Sequence, residues 1–147
     1  MRLHAHNITV HTPYAWEAQI YRREERDGSI AYPVVHAATF PLPPHRGDFG
    51  LGAVERMGPH DAFVVLFEFE REATGTPLFA RQGRPVPRAA DFHPRGLQRS
   101  LPGQSGAQWF FTENGRPFTL YIALGGHGRR AHIVPRVAEL VAGVTIH

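Results

Sequence analysis

The chain has 147 residues, of which 42% are hydrophobic and 20% are charged, so one folded domain over 1–147 is expected and disorder throughout is excluded. It contains no cysteine, which excludes disulfides, thiolate nucleophiles and cysteine-ligated metal centres. All 16 basic residues are arginine, a bias typical of a GC-rich bacterial genome, and the lack of lysine excludes Schiff-base chemistry.

Two alternating patterns near the start predict strands. Residues 7–11 alternate polar and apolar side chains and stop before a proline, and residues 16–22 alternate again. Residues 23–29 contain Asp27-Gly28, which is a hairpin signal, and lead into a third strand over 33–40. The chain therefore begins as an antiparallel sheet.

The strongest strand pattern lies in the middle of the chain. Prolines in 41–44 predict a loop, and 51–57 predicts one or two helical turns. Residues 62–69 then predict a strand that is central where it begins and exposed where it leaves, at Glu68. One face of this strand carries Phe63, Val65, Phe67 and Phe69.

The last third of the chain predicts a hairpin and a helix. Strands over 108–112 and 117–124 flank an Asn114-Gly115 turn, a helix follows over 134–142, and 144–146 forms a strand or an extended tail. The fold class is therefore α+β, an antiparallel sheet with a C-terminal helix packed on it and a long Pro/Gly/Arg-rich insertion. We expect one shared core that contains Trp16, Phe63, Phe67, Trp109, Phe118 and Leu140.

Residues 72–108 form a long basic loop or arm that is rich in proline and glycine and has no sustained period. The net charge of the chain is +3. Residues 71–108 hold six arginines against two acids, so the whole positive excess lies in this segment. The proline and glycine content of this segment allows few of the main-chain hydrogen bonds that pair strands. We therefore expect the segment to be mobile or to be ordered only against a neighbour.

Arginines with interleaved aromatic residues predict a contact surface in this segment, because guanidinium groups pair bidentately with carboxylates and phosphates. The predicted contact residues are Arg81, Arg84, Arg88, Phe92, Arg95 and Arg99. Prolines in the segment favour an extended conformation on which a protein docks. The expected partner is an acidic protein surface or a second copy of the chain. A single-stranded nucleic acid is the alternative.

Ten histidines raise the question of catalytic or metal chemistry. His4 and His6 would share one face of an extended segment, as metal ligands do, but no third ligand follows at a known spacing. Each of the runs 45–48 and 60–61 places a histidine near an aspartate, which leaves a hydrolase as the third hypothesis; local turn hydrogen bonds are the simpler interpretation. We expect no catalytic residue, metal or cofactor.

A glycine-rich run, Gly125-Gly126-His127-Gly128, follows the last strand of the hairpin. It superficially resembles a phosphate cradle, but the Walker spacing and its lysine are missing. A turn that needs positive φ is the simpler interpretation.

The chain resembles the PsbP-like family at its two ends. The residues that carry this resemblance are Thr12-Pro13-Tyr14-Ala15-Trp16 and Val137-Ala138-Glu139-Leu140-Val141-Ala142-Gly143-Val144. The resemblance implies a noncatalytic binding and assembly module, and it carries no residue roles over to this chain. No apolar run is long enough to span a membrane and the start lacks an apolar leader, so we expect a cytoplasmic protein.

Overall fold

The computed structural model of the protein describes residues 1–24, 27–28 and 30–147. The predicted hairpin over 23–29 lies partly outside these residues, although Gly28 of its turn has a φ of 76°. The regular elements are β1 (Arg2–Ala5), β2 (Ile8–His11), β3 (Glu17–Glu24), β4 (Ile30–Ala38), β5 (Ala62–Glu68), β6 (Ser105–Glu113), β7 (Arg116–Leu124), α1 (Arg130–Ala142) and β8 (Val144–Ile146). Short 3-10 turns cover Val54–Arg56, Arg71–Gly75, Pro77–Phe79, Ala89–Asp91 and His127–Arg129.

The strands form two antiparallel sheets, which confirms the predicted α+β class. The larger sheet has the order β3-β4-β5-β7-β6, and its central strands β5 and β7 are buried along their whole length. The smaller sheet has the order β1-β2-β8 and joins the two ends of the chain. Strand β1 was not predicted; a tight turn at His6 and Asn7, with φ of 53° and 61°, folds it back onto β2.

Helix α1 and the small sheet cover the first face of the large sheet. The helix begins at Arg130, four residues before the predicted start, because it continues through Pro135 rather than beginning beside it. Its buried side chains are Ile133, Val134, Val137, Leu140 and Val141. Together with Ile8, Val10 and Ile146 they pack on alternate residues of β4, β5 and β7.

Loops, not a helix, cover the second face of the large sheet. Phe49 stacks on Phe67 with 5.2 Å between ring centroids, and Phe79 packs against Phe69 at 5.2 Å and Phe110 at 5.7 Å. The prediction of one shared core was therefore wrong, because the sheet separates two apolar layers. The expected residues divide into Trp16, Trp109, Phe118 and Leu140 on the first face and Phe63 and Phe67 on the second.

The segment 72–104 wraps around β6, the edge strand of the large sheet. It starts on the second face with Phe79 and meets the strand at Thr112, where Gly83 N donates to Thr112 O at 2.8 Å. It then crosses the first face, returns to the strand edge where His93 N donates to Gly106 O at 3.1 Å, and ends on the second face. The segment is thus packed along the domain rather than extended from it.

The glycine-rich run after β7 has a different role from the predicted one. Neither Gly125 nor Gly126 has a positive φ. A Cβ on Gly125 would lie 1.9 Å from Gly58 O, and one on Gly126 would lie 2.3 Å from Pro59 O. Glycine is needed here because two backbone segments touch, so the interpretation as a positive-φ turn was wrong.

Among the described residues, no helix has the length and apolar character that crossing a membrane requires.

Candidate partner-binding surface

Arg84 is committed to contacts inside the domain. Its Nε donates to Glu113 Oε1 at 3.0 Å and its Nη2 to Glu113 Oε2 at 2.6 Å. Its Nη1 donates to Val141 O at 2.9 Å and also to Val144 O. One guanidinium therefore joins the wrapping segment to β6, to the end of α1 and to β8, and it satisfies a carbonyl that the last turn of the helix leaves open.

Phe92 is also an internal residue. It is 4% exposed and meets Trp109 of β6 edge-on, with 6.2 Å between ring centroids. Its side chain belongs to the apolar layer of the first face. Phe92 therefore holds the wrapping segment on the sheet and is not displayed to a partner.

The other four predicted contact residues, Arg81, Arg88, Arg95 and Arg99, are exposed. Arg81 lies beside Thr112 and Arg95 beside Gly106, which are about 20 Å apart along the strand at 3.3 Å per residue. Arg88 lies between them, in the part of the segment that touches α1. The structure therefore places Arg81 and Arg95 near the two points where the segment meets β6, and Arg88 on the stretch between them that crosses the first face.

Arg81, Arg88 and Arg95 have no ion pair with another described residue. Arg99 differs, because it lies on the second face and its guanidinium is 3.5 Å from Glu55. Exposed arginines without internal partners contribute little to folding and stay available for a partner. These three side chains form the basic edge of the domain, a name used below for Arg81, Arg88 and Arg95.

The backbone of β6 adds unpaired groups to the basic edge. In an antiparallel ladder the N–H and C=O of every second residue point away from the partner strand. Gly106 and Thr112 point away from β7, since both bond to the wrapping segment, and by parity Gln108 and Phe110 do too. Outside the β6–β7 ladder, no hydrogen bond between described residues uses the main-chain groups of Gln108 or Phe110.

The two aspartates of the pairs that suggested a hydrolase belong to structural networks. Asp61 accepts from Thr39 Oγ1 at 2.8 Å and from Gly58 N at 2.8 Å, which fixes the turn before β5. Asp48 accepts from Tyr21 Oη at 2.7 Å, and its carbonyl lies 2.8 Å from His36 Nε2. His36, rather than the predicted His45, is the histidine of this network.

His36 is fully buried and neutral. Arg46 Nε donates to His36 Nδ1 at 2.7 Å, which leaves the ring proton on Nε2 for the Asp48 carbonyl. Burial lowers the pKa of His36 from 6.5 to about 4; the Asp48 carbonyl opposes this and the Arg46 charge adds to it. The network ties the loop after β4 to the sheet and offers no free base to a substrate.

The structure separates the two N-terminal histidines, which the sequence predicted on one face of an extended segment. His6 lies in the turn after β1, so it does not share a strand face with His4, whose Nδ1 is 2.7 Å from Thr9 Oγ1. Across the described part of the chain, no three His, Asp or Glu side chains are grouped to hold a metal ion.

Sequence reasoning missed a buried ion pair. Glu68 was expected near the exposed end of its strand but is 3% exposed, with Oε1 2.6 Å from Arg116 Nη2. Arg116 also donates to the carbonyls of Asn7 and His147 at 3.0 and 3.1 Å, so it ties both chain ends to the large sheet. A carboxylate on an otherwise apolar strand was the available signal, because a buried charge requires a partner.

Comparison of the chain with protein-family models, curated proteins and solved structures gives no match in any of the three. The likeness to the PsbP-like family stays a prediction.

Arg84 and Arg88 provide a matched pair of arginines in one segment. We expect Arg84→Ser to lower the free energy of unfolding by about 2 kcal/mol, because it leaves Glu113 and the helix-end carbonyl without their charged donor. Arg88→Ser should change it by less than about 0.5 kcal/mol. Urea denaturation of both variants measures this, and equal effects would contradict the internal role of Arg84.

The buried His36 predicts a pH dependence of stability. The unfolded chain binds a proton on this residue near pH 6.5 and the folded chain only near pH 4, so stability falls as the pH is lowered through this window. Between pH 7 and pH 4 this residue should account for a loss of about 3 kcal/mol, from about 1.4 kcal/mol per unit of pKa. His36→Gln should remove that part of the pH dependence in urea denaturation. An unchanged dependence would show that His36 is not buried neutral.

Proposed function

We propose that this protein is a noncatalytic cytoplasmic binding module that docks an acidic segment of a protein partner on the basic edge. The observation that carries the proposal is the combination of two features: the wrapping segment holds three exposed arginines without an ion pair to a described residue, and β6 beside it has outward main-chain groups at Gln108 and Phe110. The proposal uses Arg81, Arg88 and Arg95 from the residues expected for contact. Arg84 and Phe92 are not contact residues in this proposal, because their side chains hold the wrapping segment on the domain.

The docking mode follows from the edge strand. An extended peptide of about three residues beside β6 would pair with the free N–H and C=O groups of Gln108 and Phe110, as in strand addition to an open sheet edge. Acidic side chains on that peptide or beside it would pair with the arginines. These charge pairs would set the orientation of the peptide and raise the rate at which it associates.

Nucleic acid is the second candidate partner, because arginines also bind phosphates. The aromatic residues of the wrapping segment, Phe79 and Phe92, are both buried. Single-stranded nucleic acid is usually held by exposed aromatic side chains on which bases stack. The burial of Phe92 therefore favours the acidic peptide.

The test uses a labelled peptide of alternating glutamate and valine and a labelled single-stranded oligodeoxynucleotide of equal charge. We expect the peptide to bind more tightly, and Arg81→Ser, Arg88→Ser and Arg95→Ser together to weaken its binding at least about tenfold. The matched control replaces the exposed arginines Arg2, Arg56 and Arg71 with serine, so that net charge falls equally. Fluorescence anisotropy at low and physiological salt measures both probes.

Three outcomes contradict the proposal: equal weakening by the two triple variants, failure of the peptide to bind, or tighter binding of the oligonucleotide with a steep loss in salt. The last result would favour the nucleic-acid function. A Gln108→Pro variant separates strand addition from charge alone, because it removes one outward N–H while the main-chain bonds of β6 to β7 remain. Gln108→Ala is its matched control, because both variants lose the side-chain bond to Thr119. Unchanged peptide binding in Gln108→Pro relative to this control would contradict strand addition.

A further inference from the structure

A small cavity lies where the two loops that cover the second face meet, between residues 49–55 and 97–104. Its volume is about 140 Å³. A cavity of about this size holds a single aromatic ring. Phe49, Val54 and Leu97 form apolar walls, and Leu51 is 62% exposed beside them. The cavity is thus shaped for a small, largely apolar ligand.

Gln104 brings an unused acceptor to this cavity. The residue is 7% exposed and lies in the cavity wall, and its Nε2 donates to Val54 O at 2.8 Å. Its Oε1 is buried and has no hydrogen-bond partner among the described residues. A buried polar atom without a partner is unfavourable, so a ligand donor at Oε1 would be stabilising.

Tyr121 brings an unused donor from the β7 side of the same cavity. It is 2% exposed, and its Oη accepts from Gln98 N at 2.9 Å. No hydrogen bond between described residues uses the hydroxyl proton of Tyr121. Burial raises the pKa of Tyr121, against the opposing effect of the Gln98 N–H, so the hydroxyl keeps its proton at neutral pH.

Two oppositely charged side chains in the cavity wall form an ion pair. Arg99 and Glu55 are 3.5 Å apart, with side chains 61% and 33% exposed. Glu55 is also fixed by Gly52 N, which donates to its Oε2 at 2.6 Å. Because these charges satisfy each other, the cavity favours a neutral ligand over a charged one.

We propose that this cavity binds a neutral planar amide or lactam of single-ring size. The ligand N–H would donate to Gln104 Oε1, its carbonyl would accept from the Tyr121 hydroxyl, and its ring would lie against the apolar walls. Gln104 and Tyr121 supply one acceptor and one donor, which is the complement of an amide group. This inference does not depend on the docking of a peptide at the basic edge.

The test titrates the intact protein with benzamide and with toluene, which carries the same ring without the amide, and follows the amide signals by NMR. We expect saturable binding of benzamide that shifts the Gln98 signal, and weaker binding of toluene. Gln104→Met should weaken benzamide about tenfold, the effect of one lost hydrogen bond, and leave toluene unchanged. Tyr121→Phe should do the same. Gln82→Met, at an exposed position, is the matched control.

Absence of saturable benzamide binding to the wild-type protein would overturn the proposal. Equal affinities for benzamide and toluene would also overturn it, because the polar pair would then contribute nothing. If Gln104→Met does not fold, Tyr121→Phe decides alone: benzamide affinity equal to that of the Gln82→Met control contradicts the proposal, and a selective loss supports it.

Discussion

Both faces of the five-stranded sheet are apolar, and the described part of the chain contains a single long helix to cover them. The rest of the structure depends on this constraint. The helix and the small sheet cover the first face. The second face must be shielded by loops, since exposed aromatic side chains such as Phe63 and Phe67 would cost several kilocalories per mole in hydration. The loop after β4 and the segment 72–104 therefore behave as structural layers.

Loops that replace a helix need their own polar anchors, because they lack the internal hydrogen bonds of a helix. His36 and Arg46 supply such an anchor for the loop after β4, and Arg84 supplies one for the wrapping segment. The candidate sites follow from the same arrangement. The cavity lies where two loops meet without closing. The basic edge consists of the arginine side chains of the wrapping segment that have no ion pair with another described residue.

The fold class and most strands could be predicted from sequence, because alternation in 62–69 and the Asn114-Gly115 turn are local signals. The division into two apolar layers could not be predicted. Alternation assigns Phe67 and Leu66 to opposite faces of the sheet, but it does not indicate which part of the chain covers each face. The positive charge of 72–108 was visible in the sequence, but the separation of Arg84 from Arg88 was not. Their roles depend on contacts with Glu113 and the end of α1, which are distant in the chain.

If the segment 72–104 is a packed layer, native-state hydrogen exchange of the isolated protein will show its amides protected. The amides of Gly83 and His93 donate to Thr112 and Gly106 of β6. We expect both to exchange only through openings that approach global unfolding in free energy. Exchange of both amides at the rate of an unstructured peptide would contradict this expectation, and the segment would then be a mobile arm.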